Sequence, residues 1–197
     1  LVPTPYAVGQ RGVIDLHLAW LWHERKPRRD VSQSFVAEKY GSTMLDFIER
    51  SALTKPAAEL VLEAHHNGDL PAEIDGLRLT HDVSKVTLAA PIPRPTSMRD
   101  GYAFRQHVMT ARRNRGLEMI PEFDQFPVFY FTNHQSVIGP GPLVAKKLHL
   151  EKLDFELEAA IVIGQTCRDV SPENADANIF GMMVMNDFSA RTLQMEE

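Results

Sequence analysis

The sequence predicts an α+β protein that is mostly β in its second half and carries a small α/β region in front. Residues 153–164 alternate apolar and acidic side chains and then turn wholly apolar, which is the pattern of a strand. Residues 43–66 carry apolar residues at helical spacing. Three prolines between residues 91 and 95 form a stiff extended stretch. We take that stretch as the boundary between a small N-terminal domain, residues 1–90, and the main domain, residues 91–197.

Composition excludes several classes of protein. With 44% hydrophobic and 24% charged residues, the 197-residue chain is ordinary for a globular domain. Its net charge of -5 gives no support for a nucleic-acid partner, and no apolar run approaches the roughly 18 residues of a membrane span. The single cysteine, Cys167, excludes internal disulfides and fits a reducing, cytoplasmic location. The chain lacks an initiator Met, so we expect the true N-terminus to be missing.

The N-terminal region mixes helical and extended patterns. Residues 12–22 fit a strand and a helix equally well. A helix is predicted from Thr43 to Ser51, and a second is predicted to open at Lys55-Pro56, because proline suits a first helical turn. Gly68 supplies its stop. Strands are expected at residues 73–80 and 85–90.

The main domain is predicted to begin with a helix capped by Ser97, with Asp100 in its first turn, running to about Arg113. Strands and one more helix follow along the chain. They are a strand at 126–131, the acidic strand at 153–164, a helix from Ser171-Pro172 to about 179, and a strand at 181–185 that ends in a turn at Asn186-Asp187.

The acidic strand raises an electrostatic question. Asp154, Glu156 and Glu158 share one strand face, and burying them without a partner would cost several kcal/mol each, roughly. Either that face lies in water or a cation sits on it. The apolar continuation to Gly164 favours a buried, central strand over a solvated one.

Four acids are candidates for ligands of one such cation: Asp100, Glu156, Glu158 and Asp187. Carboxylates suit hard ions such as Mg²⁺ or Ca²⁺. From the residues alone, Asp100 fits a helix-capping acid equally well, and Asp187 fits a turn aspartate. Asp154 is expected to lie outside the first coordination shell.

His107 lies seven residues after Asp100. On one helix the two would project from nearly the same side, two turns and roughly 10 Å apart. That separation lets a histidine reach a water or substrate near the ion, as a general base must. A plain surface histidine fits the spacing as well.

Four stretches together resemble the fumarylacetoacetate hydrolase family, and specifically its fumarylacetoacetase-like branch with an Asp-x₆-His pair. The resemblance covers the chain from about Pro91 to its end. The stretches are Arg99 to His107, Ser136-Val137-Ile138-Gly139, Asp154 to Glu158, and Asn186 to Arg191 with Gln194.

The resemblance implies a fold, a site and an assembly. The fold is a mixed β-roll, apparently truncated here, because the family's roll continues well beyond Gln194 and takes a lysine and a histidine-orienting acid from that part. The ion, Mg²⁺ foremost with Ca²⁺ or Mn²⁺ as alternatives, is held by the four acids, and His107 is the base. A homodimer is implied. The substrate contacts implied are Tyr102, Tyr130, Gln194 and, with spacing off by one, Arg115.

The implied reaction is hydrolysis of a C–C bond in a β-diketone acid, as in aromatic amino-acid catabolism. His107 would activate water, and the ion would polarise the carbonyl. Two other readings stay open. Relatives decarboxylate, hydrate or isomerise keto acids through the same metal-enolate site. Alternatively, the domain is structural and its acids are solvated. The chain as it stands is expected to be inactive alone if the rest of the roll is required.

Overall fold

A computed structural model describes residues 6–9 and 12–194, with side-chain surroundings from residue 12 onward. The helices are α1 (Leu16–Arg25), α2 (Gln33–Tyr40), α3 (Met44–Glu49), α4 (Ser51–Asn67), α5 (Arg105–Asn114), α6 (Lys147–Leu150), α7 (Pro172–Ala175) and α8 (Arg191–Gln194). The strands are β1 (Tyr6–Gly9), β2 (Gly12–Asp15), β3 (Glu73–Ile74), β4 (Leu77–Arg78), β5 (Thr80–His81), β6 (Arg99–Gly101), β7 (Phe129–Phe131), β8 (Leu153–Ile163) and β9 (Ile179–Ala190).

The described residues confirm the α+β class. Their strands form four small sheets, ordered β1-β2-β5, β3-β4, β6-β7 and β8-β9. The chain divides into two compact units, one made of Leu1–Leu88 with Pro140–Glu197 and the other of Ala89–Gly139. The predicted domain division at residues 90 and 91 stays a prediction. No helix among residues 6–9 and 12–194 combines the length and the apolar character that crossing a membrane requires.

The segment that fitted both a strand and a helix is one followed by the other. β2 ends at Asp15, whose side chain accepts the Leu18 N–H at 3.0 Å and so caps α1. β2 also pairs with β5, with Ile14 opposite Thr80. The ambiguous period therefore reflects a change of structure within eleven residues.

The hydrophobic core of the first unit lies among α1, α2 and α4. Trp20 is 1% exposed, and its ring stacks on Tyr40 at 4.6 Å and on Phe47 at 6.0 Å between centroids. Ile14 and Val61 are buried beside it in the same cluster. Aromatic stacking of this kind adds to the gain from burial.

The helix predicted from Thr43 is confirmed as α3, and its start is a capping box. Thr43 Oγ1 accepts the Asp46 N–H at 3.1 Å, while Asp46 Oδ2 accepts the Thr43 N–H at 2.9 Å. Gly41 precedes the box with φ 83°, and a Cβ there would lie 2.1 Å from the Asp46 Cβ. Glycine is therefore required at this position.

The predicted start of the second helix is wrong. α4 begins at Ser51, so Pro56 lies inside the helix as its sixth residue. The reason is the join to α3, since the Arg50 carbonyl accepts N–H groups from Leu53 and Thr54 and starts the helix a turn earlier. The predicted stop is confirmed, because Gly68 is left-handed with φ 80°.

The strand predicted over residues 73–80 is divided by a turn. Asp75 and Gly76 have φ 50° and 74° between β3 and β4, as a two-residue hairpin turn requires. The strand predicted at 85–90 is wrong, because a 3₁₀ turn over Val83–Lys85 occupies its start and no strand follows it before Pro91. Asp82 stabilises that turn by accepting the Ser84 N–H at 2.9 Å.

The second unit is built on the antiparallel pairing of β6 with β7. In the sequence, α5 lies between these two strands. Asp100 lies opposite Tyr130 in this pairing. The helix predicted from Ser97 is therefore wrong over its first turns, because Arg99–Gly101 is extended and α5 begins only at Arg105. Gly101 lies so close to β7 that a Cβ there would approach the Val128 carbonyl oxygen to 2.6 Å.

The longest pairing in the first unit is the antiparallel ribbon of β8 and β9, which we call the β8–β9 ribbon. It confirms the predicted acidic strand, with Leu153 opposite Ala190 and Val162 opposite Gly181. β9 runs on to Ala190, so the turn predicted at Asn186-Asp187 is wrong. Those two residues pair with Leu157 and Glu156 instead.

The β8–β9 ribbon contacts the helices through Phe180. The Phe180 ring meets Phe47 edge-on at 5.9 Å, and Lys55 Nζ donates to the Phe180 carbonyl at 2.7 Å. Elsewhere the expected burial is wrong. β8 pairs within the described chain with β9 alone, and its apolar face is exposed, for example 71% at Leu157 and 53% at Ile161.

Candidate functional site

The acidic face of the β8–β9 ribbon carries most of the predicted ligands. Directly opposed residues of an antiparallel pair project to the same side. Glu156 lies opposite Asp187, and Glu158 lies opposite Met185 two positions along. Asp154, which lies opposite Ser189, belongs to the same face. The expectation that the three β8 acids share a face is confirmed, and pairing adds Asp187 to them.

Glu158 and Asp187 are the more enclosed acids on this face. Both are half-buried, and a carboxylate oxygen of one lies within 4.8 Å of a carboxylate oxygen of the other. Two carboxylates at that separation repel each other unless a positive group or a proton lies between them. Their spacing suits two ligands of one ion.

Asp154 and Glu156 lie nearer the start of β8 and share an arginine. Arg191 Nη2 is 2.9 Å from Asp154 Oδ2 and 2.7 Å from Glu156 Oε1. Arg191 Nε also donates to Asp154 Oδ2 at 3.0 Å. The guanidinium therefore shares its single positive charge between two carboxylates at one end of the acidic face.

These contacts shift the ionisation of the groups that make them. Hydrogen bonding to Glu156 raises the pKa of Arg191, with Asp154 adding to the effect against some burial. The Phe155 N–H, and after it the Arg191 guanidinium, lower the pKa of the Asp154 carboxyl. Both shifts favour the charged forms, so the ion pair persists across the neutral range.

Sequence reasoning divided the three β8 acids and missed the arginine that pairs with two of them. It set Asp154 apart from the metal ligands Glu156 and Glu158, which stays a prediction, and it did not foresee that Arg191 links Asp154 with Glu156. Arg191 directly follows Ala190, and Ala190 lies opposite Leu153, next to Asp154. This proximity could be recognised only once the pairing register of the two strands was known.

Arg191 is held by a hydrogen bond of its backbone and by a second one between its side chain and Gln194. The Arg191 N–H donates to the Lys152 carbonyl at 3.0 Å. Arg191 Nη1 donates to Gln194 Oε1 at 2.9 Å. Gln194, a predicted substrate contact, is exposed at the end of α8. The contact with Arg191 uses the amide oxygen of Gln194, so the amide nitrogen can donate to another group.

Asp100 belongs to the second unit, where it is half-buried on β6. Tyr130 on β7 donates its hydroxyl to Asp100 Oδ2 at 2.8 Å. The pairing of the two strands sets this contact, since Asp100 and Tyr130 are directly opposed. Two residues predicted for different roles, a metal ligand and a substrate contact, are thus hydrogen-bonded to each other.

His107 is exposed in the first turn of α5. Its ring centroid lies 6.0 Å from that of Tyr102, which precedes the helix. The argument that placed Asp100 and His107 on one helix fails, because Asp100 is on β6. Arg115 caps the far end of α5, eight residues and about 12 Å along the axis from His107.

The predicted ligands fit a hard divalent cation by their chemistry. Asp100, Glu156, Glu158 and Asp187 offer carboxylate oxygens alone, which Mg²⁺ and Ca²⁺ prefer. Zn²⁺ would be expected to take histidine or cysteine. The donor set does not distinguish among the hard ions.

Comparison with known proteins gives one family match. The family described as fumarylacetoacetate (FAA) hydrolase C-terminal matches residues 96–197, which is more than half of the chain. The match includes every residue predicted for the site.

Individual relatives are similar to parts of the chain. Oxaloacetate tautomerase YisK of Bacillus subtilis is 35% identical over 121 residues, covering 58% of this chain and 37% of the relative. Fumarylacetoacetase of Dictyostelium discoideum is 28% identical over 142 residues, covering 61% of this chain and 33% of the relative. The chain thus spans about a third of the length of each of these curated relatives.

One solved structure agrees over nearly the whole chain. A Mycobacterium smegmatis protein given the name HpcE aligns with a TM-score of 0.56 at 21% identity, covering 97% of this chain and 54% of that one. At 21% identity, this likeness concerns the fold alone.

Proposed function

The chain belongs to the fumarylacetoacetate hydrolase family, and from this premise we propose that it is a metal-dependent hydrolase of β-diketone acids. The substrates proposed are fumarylacetoacetate or an acylpyruvate, which carry two oxygens able to chelate one ion. The reaction consumes one water, breaks one C–C bond, and yields a carboxylic acid and a methyl ketone.

The observation that carries the proposal is the pair Glu158 and Asp187. Their half-buried carboxylates have oxygens within 4.8 Å of each other, on a strand face that carries two more acids, and this spacing suits two ligands of one cation. We propose that Asp100 joins them as a ligand, with Glu156 as the fourth acid of the set. A bound divalent cation would supply positive charge that polarises the substrate carbonyl.

His107 is proposed as the general base. It would accept a proton from the water that adds to the carbonyl and later return that proton to the carbon released. The Tyr102 ring beside it restricts the imidazole on one side. The imidazole is exposed, so a water or substrate molecule can reach it.

Tyr130, Tyr102, Gln194 and Arg115 are proposed to bind the substrate. Tyr130 now donates to Asp100, so its hydroxyl would be available to substrate once Asp100 has another partner. Gln194 and Arg115 offer exposed donors suited to a carboxylate. Their roles rest on the resemblance.

The test is hydrolysis of fumarylacetoacetate and acylpyruvates by the intact protein with added Mg²⁺. Replacing the proposed base, His107→Ala, should lower turnover on the order of 10²- to 10⁴-fold. The matched control is His66→Ala, an exposed histidine at the end of α4, which should leave turnover unchanged. No hydrolysis by the intact protein, or equal turnover after His107→Ala, would refute the proposal.

A second candidate is isomerisation, or decarboxylation or hydration, of a keto acid at the same residues. The similarity to oxaloacetate tautomerase YisK favours isomerisation, since that relative is 35% identical over 121 residues. Proton transfer between carbon and oxygen would then occur with no C–C cleavage. Loss of the enol absorbance of oxaloacetate, with no carboxylic acid or CO₂ released, would favour isomerisation over hydrolysis, and release of CO₂ would favour decarboxylation.

The proposal extends to the setting of the enzyme. Mg²⁺ is the proposed ion, with Ca²⁺ and Mn²⁺ as alternatives that the oxygen donors accept equally. We also propose a homodimer located in the cytoplasm, on the strength of the resemblance and of the single cysteine in the sequence.

A further inference from the structure

Arg191 occupies the place on the acidic face where a cation would act. Its guanidinium lies 2.7 Å from Glu156 Oε1 and 2.9 Å from Asp154 Oδ2, and its side chain is 29% exposed. Its backbone N–H is held by the Lys152 carbonyl at 3.0 Å, so the side chain starts from a fixed point. An arginine so held is an internal counter-ion of the β8–β9 ribbon.

The charges on this face explain why a counter-ion is needed. Glu156 is directly opposite Asp187, and like charges directly opposed across two strands destabilise the pairing. Asp154 and Glu158 flank Glu156 on the same face of β8. Without Arg191, Asp154 and Glu156 would lose the guanidinium that lies between them.

The guanidinium and a divalent ion make opposing demands on Glu156. The guanidinium takes Glu156 toward Asp154, whereas the ion proposed at Glu158 and Asp187 would draw it the other way. Two cations close together repel each other, so sharing Glu156 fully between them is unfavourable. Glu156 therefore has two competing partners.

We propose that Arg191 competes with the divalent cation for Glu156 and so sets the affinity of the metal site. Glu156 is bound to Arg191 in the structure, and Glu158 with Asp187 would make the first contact with an incoming ion. Full coordination requires Glu156 to leave Arg191, which then keeps Asp154 alone. The inference rests on the proposed function, because it presumes that this face binds a divalent ion.

The test is calorimetric titration of the protein with Mg²⁺ and with Mn²⁺. Removing the competitor, Arg191→Met, should tighten cation binding about tenfold, within the range usual for coupled sites. Arg191→Lys keeps the charge but loses the fork that holds two carboxylates, so it should give a smaller gain. The matched control is Arg168→Met, which removes an exposed arginine paired with Asp169 and should leave the affinity unchanged.

A double substitution separates competition for Glu156 from a general loss of positive charge. In the Glu156→Gln background, Arg191→Met should have at most a threefold effect, because the contested carboxylate is gone. An equal tenfold gain in that background would overturn the inference, as would weaker binding after Arg191→Met alone.

Thermal unfolding supplies a second readout that does not depend on activity. Arg191→Met should lower the Tm of the metal-free protein, since the acids lose their counter-ion, and added Mg²⁺ should raise it more than in the parent protein. If Arg191→Met changed neither the cation affinity nor the Tm, the inference would be overturned while the proposed function would stand. Failure of both the parent and the variants to bind any cation would overturn the proposed function together with it.

Discussion

The helical core and the β8–β9 ribbon belong to the same unit, yet they use apolar residues in opposite ways. Around Trp20 the apolar side chains are buried, with rings stacked at 4.6 and 6.0 Å. On the ribbon the large apolar side chains of one face are exposed, while the acids on the other face include the half-buried Glu158 and Asp187. The core is organised for packing, and the ribbon is organised to present carboxylates.

The largest expected difference between the two regions is the loss of stability when one large side chain in each is truncated. Trp20→Ala removes a buried ring and leaves a cavity, so it should lower the free energy of unfolding by about 3–5 kcal/mol. Leu157→Ala removes a side chain that is 71% exposed and should change it by about 0.5 kcal/mol or less. Urea denaturation of both variants measures the difference.

Equal losses in the two variants would contradict the comparison. A loss at Leu157 as large as that at Trp20 would mean that the exposed face of the ribbon is covered in solution. A small loss at Trp20 would mean that the helical core does not determine stability.

A smaller effect is expected at the start of α3, where an acid serves structure alone. The Thr43 hydroxyl, and beyond it the Ser42 and Thr43 N–H groups, lower the pKa of Asp46 against the opposing effect of burial. A carboxyl with a lowered pKa stabilises the fold above its unfolded pKa of about 3.9, and this contribution is lost as the pH falls through the folded-state pKa. Asp46→Asn should cost about 1 kcal/mol at neutral pH and remove that loss at low pH.

Free energies of unfolding measured between neutral pH and pH 2 check this prediction. The matched control is Asp30→Asn, which removes an exposed carboxylate and should preserve the acid-dependent loss. Parallel curves for Asp46→Asn and the parent protein would show that the capping box does not titrate with folding.

Local patterns predicted what local physics decides. The period of two in β8 and the Thr43 cap of α3 are readable within a few residues, and both are confirmed. Asp100 on β6 could not be read that way, because pairing with Tyr130 and the close approach of Gly101 to Val128 involve residues about thirty positions away. The resemblance still named Asp100, although the helix predicted to carry it begins only at Arg105.

The site shows the same limit. Asn186-Asp187 has the composition of a turn, but pairing with Leu157 and Glu156 keeps it extended. That pairing places Asp187 on the face of the β8 acids and brings Arg191 to Asp154 and Glu156. The residue types could be listed from the sequence, but their partners required the strand register.

Cation binding is the measurement that tests the central claim most directly. Calorimetric titration with Mg²⁺, Mn²⁺ and Ca²⁺ should reveal one site, with affinity reduced at least tenfold, roughly, by Glu158→Gln and by Asp187→Asn. Glu151→Gln, an exposed acid just before β8, should leave it unchanged. The contrary result is no binding of any of the three ions, together with a more stable fold after Glu158→Gln, since the acids would then only have repelled one another.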